Sequence, residues 1–434
     1  MGDENTDSSV VSRFLALERD VVVLSVAMFC FSLGFQMTSR YLPRYMSVLG
    51  AGAFVIGMYG TVGNFIGAAY PYPGGALSDR IGSRRALTLF GAASSLGFAV
   101  WLAAPFVGDL PLPYADIAVP AWIWVFVGLF LAQAWKSLGL GATFAVVKQS
   151  AGEKRLATGF ASTETFRRLA FLAGPLFAAA VLTVAVDFLT GFVVVLGAAF
   201  VFGVAATVAQ HVLYTEDTSV GKSFGGVGEV IEDLRSLPPE LRPLLVADTV
   251  VRFANGAVYV FFVIVVTELY EVGATVPFVG WSLSPEAFFG VLLGVEMLVA
   301  LLVMVPSARF ADSYGLKPVV AAGFVVYAVF PVALIYAPEA FGASPLVMIA
   351  LFAFSGLRFA GLPAHKALIV GPAEEKSGGR VTGAYYLVRN VVVIPSAALG
   401  GWLYSVSPVA AFTLASAVGA VGVLYFVVFG REYS

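Results

Sequence analysis

Twelve stretches of about 20 mostly apolar residues follow one another along this chain, each long enough to cross the hydrocarbon core of a bilayer as an α-helix. They lie near 20–44, 53–77, 86–107, 120–147, 157–183, 188–213, 244–266, 285–305, 318–337, 345–370, 381–406 and 408–429. Lipid offers no hydrogen bonds to a bare backbone, so such stretches must satisfy their own N–H and C=O groups as helices. Prolines open several of them, at Pro120, Pro285, Pro318, Pro345 and Pro408. In the first helical turn the missing N–H of proline costs nothing. The chain is only 12% charged, half the roughly 25% of a soluble domain. Its mean hydropathy is +0.90, too apolar for any water-soluble core to absorb.

Lysines and arginines in the short loops set the orientation, because basic loops stay cytoplasmic. One side carries Arg13, Arg19, Arg80, Arg84, Arg85, Lys148, Lys154, Arg155, Lys222, Arg235, Arg242, Arg309, Lys317, Lys376, Arg380 and Arg431. The loops of the other side are free of them except for Arg44, with Arg40 at the end of the first span. Both termini are therefore expected in the cytoplasm, in a multi-pass protein of the plasma membrane. The expected division is a tail at 1–19, a six-helix bundle at 20–213, a linker at 214–243, a second bundle at 244–429 and a tail at 430–434. Within the linker, 227–237 has the pattern of a short amphipathic surface helix.

Several classes of function are disfavoured. A net charge of −2 gives no basic excess for nucleic acid. The single cysteine, Cys30, and the two histidines, His211 and His365, leave no internal disulfide and no Cys/His metal cluster. Gly221-Lys222-Ser223 lacks the upstream glycine of a phosphate loop, so an ATP-driven pump is not expected. With no nucleophile–base constellation, an enzyme is not expected, nor is a cofactor.

The two halves repeat. Trp135-Lys136-Ser137-Leu138-Gly139-Leu140-Gly141-Ala142 matches Leu357-Arg358-Phe359-Ala360-Gly361-Leu362-Pro363-Ala364, and Thr158-Gly159 later matches Thr382-Gly383. Gly34 aligns with Gly256 in the same register, and Asp79-Arg80-Ile81-Gly82-Ser83-Arg84 recurs as Asp312-Ser313-Tyr314-Gly315-Leu316-Lys317. Shared order at a near-constant offset marks an internal duplication.

The loop after the second span, Gly75-Ala76-Leu77-Ser78-Asp79-Arg80-Ile81-Gly82-Ser83-Arg84-Arg85, resembles the GxLxDRxGxR(R/K) motif of the major facilitator superfamily. The resemblance spans the chain: twelve helices, a central linker and a weaker second copy at Asp312, Gly315 and Lys317. It implies two pseudo-symmetric six-helix bundles moving by alternating access, in a transporter expected to be a monomer. In this reading Gly75 admits a neighbouring helix, Gly82 permits a tight turn, and Arg80, Arg84 and Arg85 complete the gate. Asp79 would latch onto the start of span 11, near Val381-Thr382-Gly383, when the cytoplasmic side is shut.

Charge inside a span is costly and marks function by default. Spans 3, 6, 9 and 12 carry none, which is the period expected if every third helix faces lipid. The others hold Lys136, Glu164, Arg167, Arg168, Asp248, Arg252, Glu296, Arg358 and Arg389. Glu164 with Arg168, and Asp248 with Arg252, stand four residues apart with the acid first, the favourable order for a helical ion pair. Six cations face three acids, a surplus that suits an anionic ligand.

Cavity candidates are Gln36, Asn64, Lys136, Arg252, Asn255, Tyr259, Arg358 and Arg389. Candidates for carrying a coupling proton are Glu296, Asp248 and Glu164. Glu296 lacks a cation within four residues on its own helix; it is either an unpaired carboxylate suited to proton carriage or the partner of Arg358 or Arg389 across the cavity. Gly174-Pro175-Leu176-Phe177-Ala178-Ala179 resembles the core of the antiporter motif of drug exporters, with alanines for its last two glycines. The expected function is proton-coupled export of a small organic compound. The alternatives are an organic or inorganic anion carrier using Arg252, Arg358 and Arg389, and a non-transporting membrane receptor.

Overall fold

A computed structural model describes residues 19–111, 118–139, 143, 166–214, 237–276, 280–371 and 378–432. Among the described residues, ten long apolar helices, one bent pair and one shorter apolar helix fall within the twelve expected spans or overlap them. Ten are long and apolar enough to cross a bilayer unaided. In the first half they are α1 (Arg19–Thr38), α3 (Ser83–Val107), α5 (Phe166–Val184) and α6 (Phe188–Leu213). In the second half they are α7 (Pro239–Leu269), α8 (Pro285–Tyr314), α9 (Leu316–Phe341), α10 (Pro345–Ile369), α11 (Val381–Val406) and α12 (Pro408–Phe429). The remaining two are α2, made of Ala53–Ala69 and Pro73–Ile81 bent by 46°, and the shorter α4, Ile123–Leu138. The bend in α2 falls at Pro71 and Pro73, where proline removes ladder donors and crowds the preceding turn.

The neighbours of each helix repeat between halves. α6 packs on α1 and α3, as α12 packs on α7 and α9; α3 packs on α4, as α9 packs on α10. The fold is thus two pseudo-symmetric bundles. Two short hairpins that the sequence did not suggest, Leu110–Pro111 with Ala118–Val119 and Ala274–Val276 with Trp281–Leu283, join helices at the end away from the termini. At that end Asp187 caps α6, its Oδ1 accepting the Thr190 N–H at 2.9 Å. That backbone bond, with the Thr190 hydroxyl, holds the Asp187 carboxyl below the usual carboxylate range.

The duplicated loop is built the same way twice. Gly82 and Gly315 both take a positive φ, 86° and 95°, which only glycine adopts without strain. Each reverses the chain between two helices. Two residues on, Arg84 donates through Nε to the His211 carbonyl at 2.9 Å, and Lys317 donates through Nζ to the Val427 carbonyl at 3.0 Å. Each cation thus meets the exposed carbonyls of the last turn of α6 or α12, where the helix dipole favours it. Glu432 adds a cap in the second half, accepting the N–H groups of Leu316 and Lys317, both at 2.7 Å. One expectation for this loop needs correction. A Cβ at Gly75 would meet nothing within 4 Å among the described residues in this conformation; the close approach is made one residue earlier, where Gly74 lies against the backbone of Leu138 in α4. A side chain at 74 would collide with that carbonyl, so the motif's packing glycine is shifted by one.

Candidate functional site

Between the halves lie two cavity lobes of about 320 and 330 Å³. Tyr259 and Phe359 line both, so the lobes meet at these two rings. The described residues that line them come from α1 and the turn after it, α2, α5, α7, α8, α10 and α11, with Tyr327 alone from α9. The helices α3, α6 and α12, whose stretches 86–107, 188–213 and 408–429 hold no Asp, Glu, Lys or Arg, contribute none, in keeping with the period of charge in the sequence.

Local breaks in the helices shape the site. Within α10, Leu357–Phe359 tightens into a 3₁₀ turn that carries Arg358. At the duplicate position in α4, Ala134–Leu138 widens into a π turn that carries Lys136. Ser94 of α3 supports that turn, accepting the Trp135 N–H at 2.8 Å and donating to the Ala132 carbonyl at 2.7 Å. In α11 the helix is interrupted at Ile394 and Pro395. The break leaves groups that α2 satisfies: Thr61 Oγ1 accepts the Ala398 N–H at 2.9 Å, and Asn64 Nδ2 reaches the Val393 carbonyl at 3.5 Å. Non-helical backbone at membrane depth survives only where protein groups supply the missing bonds.

Two carboxylates organise the charges. Glu296 of α8 is buried and accepts from Arg358 Nη2 at 2.6 Å, Ser355 Oγ at 2.5 Å and Arg40 Nη2 at 3.3 Å. Of the two partners the sequence left open for it, the structure gives Arg358; Arg389 lies elsewhere, and Glu296 is not an unpaired acid. Asp248 of α7, fully buried, takes Arg252 Nε at 3.2 Å, Arg389 Nη1 at 3.1 Å and the Tyr385 hydroxyl at 3.1 Å. His365 Nε2 stands 3.3 Å from the same carboxylate, out of line for a hydrogen bond. Arg252 is also fixed by the Tyr327 hydroxyl at 2.7 Å. Arg358 keeps two buried donors, Nε and Nη1, without a partner among the described residues.

The expected cavity residues divide. Gln36 lines the first lobe; Asn64, Arg252, Asn255, Arg358 and Arg389 line the second; Tyr259 lines both. Lys136 lines neither, its Nζ standing 5.8 Å from the centre of the Phe35 ring. Glu164 falls outside the described residues, as do residues 227–236 of the expected surface helix. Asp79 and Asp312 make no hydrogen bond or ion pair among the described residues, so the structure shows no such bond between Asp79 and the start of α11 in this conformation. Sequence reasoning missed Arg40, which pairs with Glu296 and lies 4.2 Å over the Tyr259 ring. Its signal was available: Arg40 and Arg44 were the two cations at odds with the loop charge rule.

The end away from the termini is shut across the halves. Arg44, in the short helix Leu42–Val48, reaches Glu268 at 2.7 Å and Glu286 at 3.0 Å. Tyr41 donates to the Glu286 carbonyl at 3.2 Å and sets its ring edge-on to Phe289. Alongside, α2 and α11 touch through Gly57 and Gly401, where a Cβ on either residue would overlap the other helix.

Comparison with known proteins agrees with this architecture. The model of the Major Facilitator Superfamily matches residues 3–119 and 249–434. An uncharacterised MFS-type transporter of Methanocaldococcus jannaschii is 20% identical over 412 residues, 93% of each chain. Among solved structures, a mutant of the nucleoside transporter NupG superposes with a TM-score of 0.72 at 11% identity, covering 95% of this chain and 99% of that one. A POT family transporter in complex with 5-aminolevulinic acid gives 0.71 at 14% identity, covering 95% and 96%.

Proposed function

The chain belongs to the major facilitator superfamily, and from that premise we propose that it carries small organic anions across the membrane by alternating access. The observation behind this reading is the charge ledger of the cavity. Four guanidiniums, those of Arg40, Arg252, Arg358 and Arg389, share two carboxylates, Glu296 and Asp248. Among the described residues of these two networks the difference is two positive charges. A cation in a low-dielectric site gains most from a ligand that brings the missing charge. A cationic drug would meet the repulsion of this set, and a neutral one would leave its excess charge uncompensated.

The basic loops favour termini in the cytoplasm of a plasma-membrane protein, so the shut end would be the outer gate and the cavity would serve the cytoplasmic side. Glu296 is our candidate for the coupling proton. It joins Arg40 of one half to Arg358 of the other, so its protonation would loosen an inter-half contact. Export by exchange with protons follows if protonation of Glu296 and binding of the substrate's anion favour opposite states of this contact.

The test is flux in proteoliposomes under an imposed pH gradient, with labelled organic anions, sugars and lipophilic cations offered in parallel. Anion flux that falls at least tenfold in Arg358→Gln supports the reading. Flux of sugars or lipophilic cations without anion flux overturns it.

A further inference from the structure

The two lobes differ in what they offer, and the difference bears on the shape of the ligand. The second lobe gathers Arg252, Arg358, Arg389, Asn64, Asn255 and Asn390, a wall of donors. Its Arg358 has two buried donors without an acceptor among the described residues. Those two have essentially no accessible surface and lie among the rings of Tyr259, Tyr327 and Phe359, so the donors that a ligand oxygen reaches are those of Arg252 and Arg389, 24% and 18% exposed. The larger part of the first lobe's wall is apolar, from Phe171, Pro175, Leu293, Met297, Ala300 and Leu301, and the rest carries Gln36, Arg40, Arg167, Arg168, Glu296 and Lys366. Its Glu296 and Arg40 face each other across 3.3 Å. Tyr259 and Phe359 stand at the junction, with the Arg358 guanidinium 4.8 Å over the Phe359 ring. Arg358 itself spans the boundary, lining the second lobe while its Nη2 holds Glu296 of the first.

We propose that the ligand is an amphipathic carboxylate, its head group among the arginines and asparagines of the second lobe and its hydrocarbon body passing Tyr259 and Phe359 into the first. This rests on the anion reading above and narrows it. Together the lobes fall within the few hundred to 1,000 Å³ of small-ligand sites. The head group accepts from Arg252 and Arg389, the partly exposed guanidiniums of that lobe, while Asp248 and Glu296 stay with their own arginines. The body replaces water against the apolar wall, so binding strengthens with each methylene until the first lobe is full.

The experiment measures equilibrium binding of straight-chain carboxylates, from acetate to decanoate, to the full-length protein in nanodiscs. Each is compared with its primary amide, and succinate serves as a compact hydrophilic anion. The expected result is affinity rising about fourfold per methylene and then levelling, with each amide at least tenfold weaker than its acid. The amides also control for partition into lipid, which a neutral amide enters at least as well as the carboxylate of the same chain. In Ala300→Phe, which fills part of the first lobe, the levelling is expected at a shorter chain. Carboxylates and succinate that bind with no dependence on chain length would overturn the amphipathic assignment and leave the anion reading standing. Amides that bind as well as acids would overturn the head-group assignment. Failure of every anion to bind would overturn both.

Discussion

Arg358 Nη2 of α10 lies 2.6 Å from Glu296 Oε1 of α8, and both side chains are 2% exposed. The pair sits 62 residues apart in sequence, inside one half, and Arg40 of the other half completes it at 3.3 Å. One carboxylate therefore neutralises a structural partner and a partner that can leave when the halves move.

Replacing Glu296 separates these roles. Glu296→Ala leaves two guanidiniums facing each other and is expected to cost about 3–5 kcal/mol of stability, read as a lower unfolding temperature. Glu296→Gln keeps an acceptor for Arg358 and is expected to be milder. Flux driven by a pH gradient should collapse in the glutamine variant while substrate exchange without a gradient continues. Intact proton-driven flux there would remove Glu296 from the coupling step.

The clasp of Arg44 on Glu268 and Glu286 is expected to hold the end away from the termini shut. Arg44→Ala should raise labelling of a cysteine at Phe289→Cys, introduced in a Cys30→Ser background, by a reagent added from that side. Phe289 is 1% exposed under the clasp, so unlabelled protein in both backgrounds would mean that other contacts keep the end closed.

Asp79 has no partner among the described residues in this conformation, so Asp79→Asn should change stability by no more than about 0.5 kcal/mol. Transport should nonetheless fall, because the carboxylate acts when the opposite conformation closes over the start of α11. Wild-type transport by this variant would end the latch assignment.

Glu432 caps α9 through two backbone N–H groups. Glu432→Gln weakens the charge-assisted bonds at a helix N-terminus and is expected to cost about 0.5–1 kcal/mol. High salt should shrink the difference between variant and parent, since the site is exposed. A thermal shift independent of salt would argue against a charge role.

Orientation is decided by impermeant labelling in intact cells. A cysteine at Ser313→Cys should react only after permeabilisation, and one at Ala343→Cys should react without it. The reverse pattern would place the termini outside.

The sequence alone carried the approximate number of helices, the limits of a few of them, the duplication and the choice of charge-free spans, because each of these is written in local hydropathy and repeats within a few dozen residues. A 20-residue apolar run has one stable conformation in lipid, so α6 and α12 could be placed at 188–213 and 408–429 before any packing was known. The i,i+4 pair of Asp248 and Arg252 was legible for the same reason, since helix geometry fixes it. Only the tertiary structure decided that Glu296 takes Arg358 and Arg40, that Arg389 goes to Asp248, and that Lys136 lies outside the lobes while its repeat-mate Arg358 lines one. A helical period says which residues share a face. It does not say how far that face is turned about its axis, and a π turn in α4 against a 3₁₀ turn in α10 is enough to send equivalent cations to different places. The outer clasp was likewise invisible, because Arg44 meets partners 224 and 242 residues away, at a distance set by the docking of two bundles.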